Sequence, residues 1–183
     1  MVKLLELVLT TLVRVLLRNN CSVKNCSAED QLPIHSKTPH YIFIDEAGRG
    51  CLAGPVVVGG CLWTPSPETN VDGHIPSWAT LRAAGVKDSK KVPEKKRSKV
   101  LSNVGVNPLN THGEALEIHK DRFVLWVDQM EVDAIESINI LAATMELMRK
   151  VSVSLLAYAN ISEGDVTVII DGKEKIPNLA HQN

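Results

Sequence analysis

The apolar positions of this chain form four short runs and one longer amphipathic segment. The runs cover residues 41–44, 56–63, 123–127 and 165–171 and are rich in aromatic and β-branched residues, which favour β-strands. The first run, Tyr41–Ile44, is apolar at every position. A strand without polar alternation is typical of the buried centre of a sheet.

The longer segment lies between the third and fourth runs. Its apolar positions follow the three- and four-residue spacing of one buried helix face: Ile140, Leu141, Thr144, Met145, Met148 and Val151. A short helix is predicted before it, over Val132–Asn139. A strand, a helix and a further strand indicate a parallel crossover, which would normally be right-handed. If the first and fourth runs are neighbours in the sheet, their carboxyl ends lie at the same edge. Residues 64–78 and 106–118 show no regular pattern and are predicted to be loops.

Residues 1–20 form a separate amphipathic pattern. Basic and polar residues share one arc of the helical wheel, and Glu6 is the only acid before Glu29. This pattern suits a mitochondrial transit peptide; an extra surface helix or a misassigned start of the reading frame, with the protein in the nucleus or cytoplasm, is the alternative. The segment is too short and too charged to span a membrane. We therefore divide the chain into a leader and flexible link, 1–40, and one domain, 41–183.

Composition narrows the class of protein. The 183 residues suffice for one domain with a core, and 44% hydrophobic and 22% charged residues are typical of a globular protein. The net charge of −1 excludes a polycation, so contact with nucleic acid would need a local basic patch. Residues 87–99 supply one, because they hold seven of the 20 lysines and arginines. The four cysteines form no CxxC pair, which favours a reduced compartment and no zinc site.

The basic segment also shows signs of a helix. Pro93 fits a helix start, Glu94 suits its positive end, and Gly105 can end it. The apolar side that would dock this helix on the core consists of Val100, Leu101 and Val104. A solvated helix face is the alternative interpretation of the charges.

The candidate chemistry lies where apolar runs end on acids. Asp45 and Glu46 follow the first run, and Asp171 closes the fourth. A buried carboxylate is costly unless it is paired or binds a metal. The turn Gly48-Arg49-Gly50 comes next; its glycines allow close approach of a ligand, and Arg49 suits a phosphate. The acids could bind a cation, and the loop beside them could bind an anion. This arrangement indicates metal-assisted chemistry on a phosphate ester. Each motif alone is also found in ordinary turns and helix caps.

Taken together, these sequence motifs resemble those of a known family. The string DEAGRG…LAGPVV resembles the opening motif of type 2 ribonucleases H, the ribonuclease HII family, which has proline where this chain has Cys51. DSKK followed by KKR resembles the second motif of that family, and ESINIL resembles a third landmark. The resemblance extends from Tyr41 to Pro177.

The resemblance implies a fold and an activity. The fold would be α/β, a ribonuclease H-like mixed β-sheet flanked by helices. The activity would be that of an endonuclease that cuts the RNA strand of RNA–DNA hybrids and cuts at ribonucleotides embedded in duplex DNA. It would need Mg²⁺ or Mn²⁺, two ions about 4 Å apart clamping the scissile phosphate. The resemblance implies metal binding and catalysis by Asp45, Glu46 and Asp171. It implies substrate binding by Gly48, Arg49, Gly50, Ser89, Lys90 and Lys91, and we expect a monomer.

One departure from the family keeps a second function class open. The family uses four acids, the last well downstream of Asp171, whereas this chain has only Glu174 in its last 12 residues. The family's late tyrosine and its closing helices have no counterpart either. We therefore expect a fold incomplete at the C-terminus and poor cleavage, unless another group replaces the fourth acid. The alternative function is that of a catalytically impaired, nucleic-acid-binding fragment or degenerate paralogue.

Overall fold

A computed structural model of the chain describes residues 39–50, 54–64, 83–86, 92–105, 113–118, 123–170 and 175–179. Residues 1–38 of the predicted leader therefore lie outside the described residues, and the role of the leader in targeting stays a prediction. Asp171, Ser89, Lys90 and Lys91 lie outside them too.

The described residues form one five-stranded mixed sheet. Its strands are β1 (His40–Ala47), β2 (Val56–Trp63), β3 (Ala115–Ile118), β4 (Phe123–Met130) and β5 (Val166–Ile170), in the spatial order β3-β4-β2-β1-β5. β1 is antiparallel to β2 and parallel to β5, and β4 is antiparallel to both β2 and β3. Consequently β1, β4 and β5 run in one direction, and their carboxyl ends share one edge of the sheet.

Three helices are described with the sheet: α1 (Glu94–Asn103), α2 (Val132–Ile138) and α3 (Ile140–Ala159). Asn139 caps α3, since its Oδ1 accepts hydrogen bonds from the N–H groups of Leu141 at 3.1 Å and Ala142 at 3.0 Å. Asn139 has a φ of 74°, which is strained for a residue with a side chain, and the two cap bonds compensate for that strain. α1 ends as predicted, with Gly105 at a φ of +82° just beyond it.

Two hydrophobic cores lie on opposite faces of the sheet. The α1-side core joins Leu101 of α1 to sheet residues that include Phe43, Cys61 and Leu125. The α3-side core joins α3 to the alternate sheet residues, among them Ile42, Ile44, Val58, Val124 and Val168. The α/β class, with a mixed sheet flanked by helices, is therefore as predicted. None of the helices in the described ranges has the length and apolar character needed to cross a membrane.

The predicted central strand is confirmed. Tyr41, Ile42, Phe43 and Ile44 are all buried, and β1 pairs with a neighbour on each side. The parallel neighbour is β5, with Ile44 opposite Ile170, so the first and fourth runs are adjacent. Met145 and Met148 are buried in the α3-side core, as expected of packing residues. Cys61 is buried as a free thiol, and burial raises its pKa above the usual range.

Several predicted boundaries were wrong. Residues 115–118 form β3 although 106–118 were predicted to be a loop, because pairing with β4 stabilises a strand too short to show a pattern. The fourth strand begins at Val166, since residues 163–165 form a 3₁₀ turn. Leu141 was assigned to the buried face but is 39% exposed, because it lies in the first turn of α3.

Gly60 sets the distance between β2 and α3. A Cβ built on Gly60 would lie 2.6 Å from Val151 Cγ1 and 2.8 Å from Leu155 Cδ1. Both neighbours are buried side chains of α3, so neither can turn away into solvent. The absence of a side chain at Gly60 therefore lets the helix pack close to the sheet.

We expect Gly60→Ala to lower the free energy of unfolding by about 1–3 kcal/mol, the usual cost of overpacking a core. Urea denaturation measures this. The matched control is Gly164→Ala, because a Cβ on Gly164 meets no atom within 4 Å. Equal losses in the two variants would contradict the close-packing role of Gly60.

Candidate active site at the carboxyl edge of the sheet

The candidate site lies at the edge where β1, β4 and β5 end. β1 extends through both acids of the first motif, because Asp45 pairs with Gly59 and Glu46 pairs with Val58 of β2. The sequence prediction placed the acids after the strand. Being inside a hydrogen-bonded strand fixes their backbone more firmly than a turn would.

Asp45 is a buried acid on the α1 side of the sheet. Only 8% of the residue is exposed, and it lies between Phe43 and Ala47, which both pack on the α1-side core. Its Oδ1 accepts a hydrogen bond from the backbone N–H of Glu46 at 2.8 Å. That bond offsets part of the cost of burying the carboxylate and restricts its orientation.

Glu46 lies on the other side of the strand. Side chains alternate between faces, so Glu46 shares its face with Ile42 and Ile44 of the α3-side core. Arg49 Nη1 lies 3.5 Å from Glu46 Oε1, with 40% of the arginine side chain and 18% of the glutamate side chain exposed. The first motif thus carries one acid on each face, and the acid on the α3 side is matched by a cation.

The turn after β1 depends on Gly48. It has a φ of +92°, and a Cβ there would lie 2.6 Å from the backbone oxygen of Pro55. Any other residue would be strained by this backbone conformation and by the close contact with Pro55, so glycine at position 48 is explained by its structural role. Gly50 differs, since a Cβ there would meet no atom within 4 Å. The structure leaves open space beside Gly50, where a ligand could approach the backbone.

Asp128 is an acid of this edge that the sequence reasoning missed. It lies in β4 opposite Val58, which in turn lies opposite Glu46, so the three residues form one row across the sheet. Two strand spacings, about 9.5 Å, separate the backbones of Glu46 and Asp128. Lys150 Nζ of α3 lies 2.6 Å from Asp128 Oδ2, and Oδ1 accepts from the N–H of Gln129 at 2.8 Å.

A signal for Asp128 was present in the sequence. The third apolar run, 123–127, ends on this acid, as the first run ends on Asp45 and the fourth on Asp171. The strand was predicted to stop at Val127, whereas β4 continues to Met130. Because a lysine from α3 neutralises its carboxylate, Asp128 ties the helix to the sheet.

The structure shows where some of the predicted site residues lie, and the roles assigned to all of them stay predictions. It places Asp45, Glu46, Gly48, Arg49 and Gly50 at one edge. Asp171, Ser89, Lys90 and Lys91 lie outside the described residues, so their assigned roles stay predictions. Within the described ranges, no three histidine, cysteine, aspartate or glutamate side chains converge on a point that could hold a metal.

Helix α1 carries the described part of the basic segment. Lys95, Lys96 and Lys99 are exposed, and Leu101 is fully buried in the α1-side core. Arg97 is held differently from the lysines, because its Nε donates to the backbone oxygen of Val92 at 3.1 Å. The lysines therefore form a solvent-accessible cationic surface on the same side of the sheet as Asp45.

We expect Lys150→Met to lower the free energy of unfolding by about 1–3 kcal/mol, since it removes a cation from a buried carboxylate. The loss is smaller than for a fully buried pair because 60% of the Lys150 side chain is exposed, against 6% for Asp128. Thermal and urea denaturation measure the loss. Adding Asp128→Asn should recover part of it, and Lys99→Met, at an exposed site, is the control. If the double variant is less stable than Lys150→Met alone, the loss of stability is not caused by an unpaired negative charge on Asp128.

Comparison with known proteins identifies the relatives of this chain. The family model described as Ribonuclease HII matches residues 42–182. A protein named Ribonuclease HII from Chlamydia caviae is 34% identical over 137 residues, which cover 73% of this chain and 49% of the relative. Proteins of the same name from Idiomarina loihiensis and Rickettsia bellii are 34% and 32% identical and are covered to 54% and 56%. The chain thus spans about half the length of the curated relatives it matches.

A solved structure, that of the PCNA:RNase HII complex from Archaeoglobus fulgidus, also aligns with the chain. The alignment has a TM-score of 0.38 and 19% identity, and it covers 75% of this chain and 52% of the other.

Proposed function

Because the chain belongs to the ribonuclease HII family, we propose that it acts as a metal-dependent endonuclease on RNA–DNA hybrids and on ribonucleotides embedded in duplex DNA. One observation carries the proposal. Two acids, Asp45 and Glu46, lie in the central strand of the sheet, immediately before a turn that leaves open space at Gly50. The two carboxylates would attract cations, and the turn beside them would offer its backbone to a nucleic acid.

The donor set fits Mg²⁺ or Mn²⁺, which prefer hard carboxylate oxygens. Asp45 and Glu46 would hold the ions together with Asp171. The choice of Asp171 is supported by the register together with the sequence, because Ile170 lies opposite Ile44 and each of these two residues is followed in the sequence by an acid. When bound, such ions supply the positive charge that orients the phosphate and activates water.

Different residues of the chain would orient the metal ligand, contact the ribose and bind the phosphate backbone. Asp45 is held by burial and by its bond to the N–H of Glu46, so it presents a fixed carboxylate. The turn Gly48-Arg49-Gly50 would contact the ribose, whose 2′-hydroxyl distinguishes RNA from DNA. Ser89, Lys90 and Lys91, with the exposed lysines of α1, would hold the phosphate backbone by charge.

The alternative is a nucleic-acid-binding protein with little or no cleavage. It is favoured by the exposed lysines of α1, which can bind phosphates without a metal, and by the pairing of Asp128 with Lys150, which already neutralises one acid of this edge. Such a protein would bind through the lysines of α1 and the basic segment. Binding and cleavage must therefore be measured separately.

The decisive experiment uses a DNA duplex with one ribonucleotide, incubated with the purified chain and Mn²⁺. We expect slow cleavage that Asp45→Asn reduces by about 100-fold or more, because electrostatic groups at the reacting phosphate are typically worth that factor.

The control is Asp128→Asn, which makes the same chemical change at the same edge and keeps an oxygen to accept from the N–H of Gln129. It should leave the rate within about threefold, or about 0.65 kcal/mol. Binding without cleavage in the unaltered chain would favour the alternative function, and equal losses in both variants would contradict the assignment of Asp45.

The salt dependence of binding tests the basic segment. Replacing Lys90, Lys95 and Lys96 with alanine should weaken duplex binding and reduce the slope of log K against log salt by about 0.9 for each phosphate that the protein no longer neutralises. Lys150→Met, on the opposite face of the sheet, is the control and should leave the slope unchanged. An unchanged slope in the triple variant would show that the lysines form only a solvated face.

A further inference from the structure

The contact between Arg49 and Glu46 places a cation inside the proposed metal site. Arg49 Nη1 lies 3.5 Å from Glu46 Oε1, and the two residues are three apart across the turn. Gly48, between them, is held in a left-handed conformation against the backbone of Pro55. The turn therefore directs Arg49 back onto the acid that precedes it.

The surroundings show why this pair forms. Asp45 and Glu46 are adjacent acids, and Asp45 is buried. Their side chains lie on opposite faces of β1, but the residues are adjacent in the chain, so the two negative charges still repel each other where water is partly excluded. The guanidinium of Arg49 beside Glu46 offsets part of that repulsion.

The same geometry makes the pair exchangeable. The contact of 3.5 Å is long for a charge-assisted hydrogen bond, and 40% of the Arg49 side chain is exposed. A divalent cation that binds Glu46 would compete directly for the oxygen that Arg49 contacts. It would also repel the guanidinium, which has solvent on one side into which it can turn.

We propose that Arg49 is a replaceable counter-ion of Glu46, which a divalent cation displaces and which then becomes available to a phosphate of the nucleic acid. This inference rests on the proposed function and adds to it a coupling between two binding events. Metal binding releases the guanidinium that phosphate binding uses. By linkage, each ligand must then strengthen the binding of the other by the same factor.

The test measures Mn²⁺ binding without any reaction. Free Mn²⁺ is followed by electron paramagnetic resonance in the full chain, first alone and then with an all-DNA duplex that carries phosphates and no ribonucleotide. Arg49→Ala should bind Mn²⁺ about two- to fivefold more tightly than the unaltered chain when DNA is absent, the factor equivalent to a partly exposed ion pair. With the duplex present this advantage should disappear, because the variant has lost the coupling.

Four further variants, one of them double, locate the effect. Arg49→Lys keeps the charge without the planar guanidinium and should fall between the unaltered chain and Arg49→Ala. Glu46→Gln should weaken Mn²⁺ binding, and adding Arg49→Ala to it should bring no further tightening, since the pair is already broken. Lys99→Ala removes one exposed cation from α1 and should leave Mn²⁺ affinity in the absence of DNA unchanged.

The outcomes separate this inference from the function on which it rests. If Asp45→Asn and Glu46→Gln leave Mn²⁺ binding unchanged, the proposed metal site is wrong and the inference is overturned with it. If those variants weaken Mn²⁺ binding but Arg49→Ala does not tighten it, the metal site stands and the exchange is overturned. Equal tightening by Lys99→Ala would show a general effect of net charge and would also overturn the exchange.

Discussion

The pairing of β1 with both of its neighbours is the constraint on which the site depends. β2 binds one side of β1 along Tyr41–Ala47, and β5 binds the other side along His40–Ile44. Aromatic residues of β1 pack in one core and isoleucines in the other, so a shift by one residue would exchange side chains of different size and shape between two packed cores. The positions of Asp45 and Glu46, which follow in the same strand, are fixed by this register. Asp45 therefore faces the α1 side and Glu46 the α3 side.

β2 holds the acids of β1 in place, because its pairing with β1 continues past Ile44. β5 is described to Ile170, opposite Ile44, whereas β2 continues along β1 as far as Ala47. The last three residues of β1 are thus held by β2 alone among the described strands. The backbone of both acids is therefore fixed by hydrogen bonding to β2.

The sequence predicted the sheet better than the site, for a physical reason. Runs such as Tyr41–Ile44 must be buried on both faces, so composition alone identifies a central strand. The residues 115–118 have no such signature and form a strand only because β4 is there to pair with them. The spread of Asp45 and Glu46 over two faces follows from the strand extending through them, which the acidic residues did not suggest. The pairing of Asp128 with Lys150 joins residues 22 positions apart, a distance at which sequence patterns carry no information about contact.

The two acid–base pairs of this edge show how similar residues acquire different roles. Asp128 and Lys150 approach to 2.6 Å, and only 6% of the aspartate side chain is exposed, so replacing the lysine would leave a carboxylate with little water. Glu46 and Arg49 are 3.5 Å apart, and the glutamate is three times as exposed, at 18%. The cost of opening a pair rises with the burial of the charge left behind. The first pair is therefore suited to hold α3 against β4, and the second to open when a stronger cation arrives. Distance and burial, which the identities of the four residues do not reveal, decide which ion pair is held firmly and which can open.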